Sequence, residues 1–87
     1  MNVQYKSSFE RDVKKASTEA QIHLSEIIPI LKSATSLADI PNIKKLKAYK
    51  TAYRIRVTNY RLGLHYEDGL LILVRFLPRK TIYRLFP

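Results

Sequence analysis

An α+β layer fold is predicted by three features of this chain. A short alternating segment stands at the amino terminus, two helical stripes follow it, and from Lys44 the apolar period changes to two. The expected architecture is an N-terminal strand, two helices, a three-stranded antiparallel meander and a short C-terminal helical turn. The two helices cover one face of a sheet of about four strands, and the other face displays cations. Residues 1–87 are read as a single domain, with no repeat, low-complexity run or linker.

Val3 and Tyr5 alternate with polar neighbours and form the first strand. Ser7 and Glu10 stand at capping-box spacing, and Phe9, Val13 and Ala16 share one helical stripe. Ser17 or Thr18 caps a second helix, whose stripe includes Ala20, Leu24, Ile27, Ile28 and Leu31. Pro29 falls inside it and either kinks it or ends it early. Ser33 to Asn42 is an irregular connection, with Leu37 and Ile40 tucked beneath as packing anchors.

In the second half, Leu46, Tyr53, Ile55 and Val57 alternate with Lys45, Lys47, Arg54 and Arg56. A two-residue loop at Thr58-Asn59 pairs Val57 with Tyr60 and Arg56 with Arg61. Asn59 suits the positive φ of such a turn and Thr58 suits it poorly, which leaves a longer loop open. Leu62, Leu64 and Tyr66 then face the core, while Arg61, Gly63 and His65 face the other way. Glu67-Asp68-Gly69 reads as a three-residue hairpin loop, which sets Leu62 opposite Val74 and Arg61 opposite Arg75. Arg75 thereby joins the cationic face. Pro78 ends the last strand, and Thr81 caps a helical turn reaching Phe86.

Charge is segregated along the chain. Residues 1–43 carry five basic and five acidic side chains, and residues 44–87 carry eleven and two, so the whole net charge of +9 comes from the second half. Arg54, Arg56 and Arg61 share one sheet face, where like charges destabilise a hairpin. Such a cluster points to an anion, and the commonest cellular polyanion is nucleic acid. With only Gly63 and Gly69 there is no phosphate-binding glycine loop, and with no cysteine and two histidines on separate elements there is no metal centre. No cofactor is expected. The absence of cysteine and of a signal-like or bilayer-length apolar segment fits the cytoplasm, with no membrane partner. Arginines with tyrosines suit RNA cleavage by the ribose 2′-hydroxyl, in which the protein positions the strand, stabilises phosphorane charge and moves protons.

Four segments in order, Lys45-Leu46-Lys47-Ala48-Tyr49, Tyr53-Arg54-Ile55-Arg56-Val57, Tyr60-Arg61-Leu62-Gly63 and Arg79-Lys80-Thr81-Ile82-Tyr83-Arg84, resemble the RelE/ParE toxin superfamily. The strand-helix-helix beginning suits the same RelE-like fold, so the resemblance covers the chain. It implies the toxin of a bacterial type II toxin–antitoxin pair. RelE-like members cut messenger RNA, often on the ribosome, and ParE-like members poison DNA gyrase. A non-catalytic RNA- or ribosome-binding module is a third reading. The matching catalytic positions are Arg54, Arg56, Arg61, Arg79 and Tyr83, with Arg61 and Arg79 on the scissile phosphate. Arg54 and Arg56 add charge and backbone contacts, and Tyr83 orients or stacks on the nucleotide. Lys45, Lys47, Arg75 and Lys80 are expected RNA contacts and His65 an acid/base candidate. The implied partners are a cognate antitoxin, messenger RNA and the ribosome.

Two positions depart from the family pattern. The best-known RelE-type enzyme has lysines where Arg54 and Arg56 stand, and many relatives have a histidine where this chain has Pro78. Arginine stays protonated and is a poor base, which leaves His65, Tyr83 and Glu67 as the groups that could move a proton; the alternatives are charge stabilisation on a strand aligned by the ribosome, or a weak or lost activity. Leu71, Leu73 and Leu77 are expected near the exposed cationic face, as an apolar patch for an acidic amphipathic partner helix.

Overall fold

The computed structural model describes residues 1–87. Strand β1 (Asn2–Tyr5) is followed by helices α1 (Ser7–Lys15) and α2 (Thr18–Ser33). Strands β2 (Ile43–Lys45), β3 (Ala52–Val57), β4 (Tyr60–Glu67) and β5 (Leu70–Pro78) come next, and helix α3 (Arg79–Leu85) closes the chain. The sheet order is β1-β5-β4-β3-β2. β1 runs parallel to β5 and the other neighbours are antiparallel. The α+β expectation holds, with five strands instead of about four because Ile43–Lys45 pairs with β3 as a short edge. No helix is long and apolar enough to cross a membrane.

The chain leaves β1 and enters α1 without a loop. The Lys6 amide still donates to Leu73 O at 2.9 Å, so the helix starts directly at Ser7 and the Ser7–Glu10 capping box does not form. α1 instead completes the sheet edge where β1 stops. Ser8 Oγ donates to Val74 O at 2.6 Å, and one turn later the Asp12 carboxylate accepts from the Phe76 amide at 3.0 Å. Two side chains thus do for β5 what further strand backbone would do. Asp12 also accepts from Arg75 Nε at 2.7 Å and Nη2 at 3.2 Å, and this pairing raises the Arg75 guanidinium above its ordinary value.

α2 begins where Ser17 Oγ accepts from the Ala20 amide at 3.1 Å. It runs through Pro29 to Ser33. Pro29 is exposed and leaves only the carbonyl of Ser25, itself exposed, without an intrahelical donor. In the connection that follows, Asp39 accepts from the Thr35 amide and hydroxyl, each at 2.9 Å, around a single 3-10 turn that seats buried Ile40.

The sheet is apolar on both faces. Phe9, Ala20, Leu24 and Leu31 of the helices pack on Ile55, Val57, Leu62, Leu64, Leu71, Leu73 and Phe76. On the opposite, outer face Ile82 and Phe86 at the C-terminal end pack on Ala52 with Leu46, Val74 and Leu77. Leu71 and Leu73 are therefore fully buried in the main core, not on an exposed patch, and Leu77 supports α3.

The β4–β5 register differs from the expected one at two places. Asp68 and Gly69 both have positive φ, 48° and 79°, and make a two-residue turn that pairs Glu67 with Leu70. A bulge between Gly63 and Leu64 then skips Val74, so Leu62 faces Phe76, Arg61 faces Leu77 and Arg75 faces Gly63. Next to the bulge, the Arg75 side chain turns to Asp12 on the helix side. It does not join the cationic face.

α3 follows Pro78 directly, with Arg79 as its first residue and no side-chain cap from Thr81. The Phe86 ring lies over Gly63, where a Cβ would stand 2.7 Å from Phe86 Cγ and Cδ2. Only glycine allows this approach.

Two outcomes follow from these contacts. Asp12→Ala should cost about 2–3 kcal/mol in urea unfolding, since it strands a largely buried guanidinium and an edge amide; a cost below about 0.5 kcal/mol would show that α1 is held by its apolar face alone. Gly63→Ala should displace Phe86 and speed hydrogen exchange of the Phe86 amide, which now donates to Ile82 O. Unchanged exchange there would mean that Phe86 does not anchor α3.

Candidate nucleic-acid interface

Period-two alternation sends Arg54 and Arg56 of β3 and Arg61 of β4 to the outer face. The two-residue turn at Thr58-Asn59 does form, with Val57 opposite Tyr60 and Arg56 opposite Arg61. Its positive φ falls on Thr58, at 55°, and not on Asn59. Arg61 explains the value of this turn. It is only 9% exposed, and its Nη1 donates to Thr58 O at 2.9 Å and Tyr60 O at 2.8 Å. The next carbonyl, Asn59 O, accepts from the Arg79 amide at 2.9 Å. One turn thus fixes both the guanidinium of Arg61 and the start of α3.

α3 brings Arg79 and, one turn on, Tyr83 against the strand arginines. Arg54 Nη1 donates to the Tyr83 hydroxyl at 2.6 Å, with its guanidinium carbon 5.5 Å from the ring centroid. Asn42, in the left-handed region at φ 61°, accepts from the Arg56 amide through its carbonyl at 3.2 Å and from Arg56 Nη2 through Oδ1 at 3.4 Å. These groups surround a pocket of about 380 Å³ lined by Asn42, Ile43, Lys44, Arg54, Arg56, Arg61, Arg79 and Tyr83. No carboxylate lines it.

The electrostatics follow from that lining. Burial first, then the charges of Arg54, Arg79 and Arg56, lower the Arg61 guanidinium from its ordinary value, against the opposing pull of Tyr83. The guanidinium groups of Arg79 first and Arg54 second hold the Tyr83 phenol below its ordinary value, because cations favour the phenolate. The pocket is therefore strongly cationic, and Tyr83 is the one neutral ionisable side chain in its lining.

The structure brings Arg54, Arg56, Arg61, Arg79 and Tyr83 together around one pocket. Lys45 and Lys47 line a second, adjoining depression. Lys80 is exposed on α3 and lines neither. Arg75 is paired with Asp12 behind the sheet. His65 lies on the outer face but away from the pocket: its Nδ1 is 2.9 Å from Thr51 Oγ1 and its ring packs 5.5 Å from that of Phe86. Its neighbours are thus Thr51 and Phe86 and not the arginines. Lys44 and Asn42 are pocket residues that the sequence reading did not single out. Lys44 pairs with Arg54 and Lys45 with Tyr53 across β2–β3, and Leu46 packs on the outer face, so the expected alternation, which set Lys45 with the arginines and Leu46 with Tyr53, is one residue out in this short edge strand.

No protein-family model matches the sequence. Toxin RelE3 of Methanocaldococcus jannaschii is 38% identical over 88 residues, covering 100% of both chains. This chain belongs to the RelE toxin family. A chain of the RelB–RelE antitoxin–toxin complex from Methanococcus jannaschii matches this RelE-family chain with a TM-score of 0.83 and 34% identity, over 97% of this chain and 99% of that one. YafQ from E. coli shares the fold, at TM-score 0.75 and 20% identity over 94% and 97% of the two chains. The RelE-like fold expected from the sequence is thus the fold observed.

The phenol gives a direct reading of the site. The difference between the ultraviolet pH titrations of the parent chain and Tyr83→Phe isolates this phenol. Its midpoint should lie below the ordinary tyrosine value of about 10. Arg79→Ala should move it upward, since a cation that favours the phenolate is gone. A midpoint that ignores Arg79 would mean the two groups are not coupled.

Proposed function

We propose that this chain is the toxin of a type II toxin–antitoxin pair and a metal-independent endoribonuclease that cuts messenger RNA on the ribosome. The observation that carries this reading is four guanidinium groups and one phenol around a single pocket with no carboxylate. Guanidinium forks match phosphate oxygens, and a low-acid lining favours the dianionic phosphorane over the singly charged diester.

The nucleophile belongs to the substrate. The ribose 2′-oxygen attacks the adjacent phosphorus, the bond from phosphorus to the 5′-oxygen breaks, and the products are a 2′,3′-cyclic phosphate and a 5′-hydroxyl. One proton leaves the 2′-hydroxyl and one reaches the departing 5′-oxygen. Arg61 and Arg79 hold the scissile phosphate, Arg61 from a fixed position on the turn carbonyls. Arg54 and Arg56 add positive charge. Tyr83, with its phenol lowered by Arg79 and Arg54, handles a proton, since the guanidinium groups stay charged. The ribosome supplies alignment of the strand, which is worth several orders of magnitude in such reactions.

A cognate antitoxin is the second partner. Support comes from the 34% identical relative, solved as an antitoxin–toxin complex. The open cationic pocket is a surface that an acidic partner would cover.

Primer extension on a defined message, on translating ribosomes and as naked RNA, tests the activity. Discrete new ends should arise on ribosomes. Arg79→Ala is the cleaner first variant, because Arg61 also braces a turn; it should lower cleavage roughly 100- to 1000-fold with the fold intact. Intact messages together with growth arrest would overturn the nuclease reading and direct attention to gyrase.

A further inference from the structure

The arginine pocket has a neighbour. A smaller depression of about 200 Å³ is lined by Lys44, Lys45, Leu46, Lys47, Arg54 and Tyr83. Lys44, Arg54 and Tyr83 also line the arginine pocket, so the two share a wall. Two residues of that wall are tied together. Arg54 and Tyr83 are joined by a 2.6 Å hydrogen bond and by the stacking of guanidinium over ring.

The two hollows differ in chemistry. Beyond the shared wall, the first is lined by the guanidinium groups of Arg56, Arg61 and Arg79, whose planar forks suit a phosphate that changes shape and charge. Beyond that wall, the second is lined by the ammonium groups of Lys45 and Lys47 beside half-buried Leu46. Ammonium groups are hydrated point charges on flexible stems, suited to a phosphate that is gripped and left unreacted. Neither hollow has an acidic lining residue.

We propose that the lysine hollow is a second nucleotide subsite: it holds the phosphate next to the scissile one, as the RNA strand crosses the Arg54–Tyr83 wall. The inference rests on the RNA-cleaving reading of the arginine pocket and adds a length requirement to it. A dinucleotide fills the arginine pocket alone. One or two further nucleotides on one side bring a phosphate over Lys45 and Lys47, and the binding site is complete only then.

Short 2′-O-methyl RNA oligomers test this, because they lack the nucleophile and report binding without cleavage. A dinucleotide is compared with tetranucleotides extended on the 5′ or the 3′ side. Extension on one side should tighten binding, and extension on the other should not. Lys47→Ala should remove at least about threefold of the tetranucleotide affinity and lower its salt slope by about 0.7, while leaving the dinucleotide unchanged. Lys15→Ala, which removes the same charge from exposed α1, should leave both probes unchanged. Binding of the dinucleotide with no gain on either extension would overturn the subsite and leave the arginine pocket standing. So would equal weakening of both probes by Lys47→Ala. Failure of every probe to bind would overturn the subsite, while the RNA-cleaving reading, which relies on the ribosome for alignment, would still be decided by primer extension on ribosomes.

Discussion

Four guanidinium groups share one pocket in this protein without an acidic side chain among them, and much of the local structure serves to make that tolerable. Arg61, the most buried of the four, is held by two turn carbonyls, Arg56 by the side-chain amide of Asn42, and Arg54 by the Tyr83 hydroxyl. All are neutral acceptors. They satisfy donors and leave the charge uncancelled, which is the condition for attracting an anion. The same chain shows the alternative. Behind the sheet, Arg75 meets the buried carboxylate of Asp12 in a two-point ion pair, and its charge is spent on structure. The difference between a pocket arginine and a structural one is here the difference between a neutral acceptor and a carboxylate as partner.

The pocket also depends on a sheet that is apolar on both faces. The helix layer covers the centre of one face, with Tyr53, Tyr60 and Tyr66 partly exposed around it. On the other, Ile82 and Phe86 cover only the part formed by Ala52, Val74 and Leu77, and the arginines occupy what remains. Gly63 is central to this division. It lets the Phe86 ring rest on backbone, and Phe86 in turn holds the end of a helix that carries Arg79 at its start and Tyr83 one turn later. A packing contact beside the site thereby sets the distance between Tyr83 and Arg54. His65 packs against Phe86 in this support and stands apart from the arginine pocket.

Much of this was legible in the residues, and the gaps have physical causes. The alternation of Arg54, Ile55, Arg56 and Val57, with a short turn to Arg61, places three guanidinium groups on one face by period alone. The Asp68-Gly69 turn and the bulge at Val74 were not legible. Leu70 to Leu77 is apolar on both sides, so periodicity cannot report a skipped residue, and the bulge exists because α1 offers Ser8 and Asp12 to the edge of β5. That is a tertiary contact across more than sixty positions of chain. Arg75 was misplaced for this reason. The Thr58 turn carries the opposite lesson. A threonine at positive φ is locally unfavourable, and it is tolerated where Arg61 fastens its carbonyl.

The same arrangement bears on how acid–base chemistry could proceed with arginines at positions 54 and 56 and proline at 78. Guanidinium groups hold their charge across any physiological pH, so in the proposed reaction their stabilisation of the phosphorane does not vary with proton concentration. Any pH dependence that the protein itself contributes then traces to the neutral group among them. Tyr83 is placed for this twice over: its oxygen is within hydrogen-bonding distance of Arg54, and the charges that bind the phosphate also ease its ionisation. When a phosphate dianion develops in the pocket it competes with the phenolate for those charges, and the phenol is pushed back toward its protonated form. A group that gives up a proton more readily before the anion forms, and holds one more tightly after, has the direction of change that a proton shuttle between the 2′- and 5′-oxygens requires.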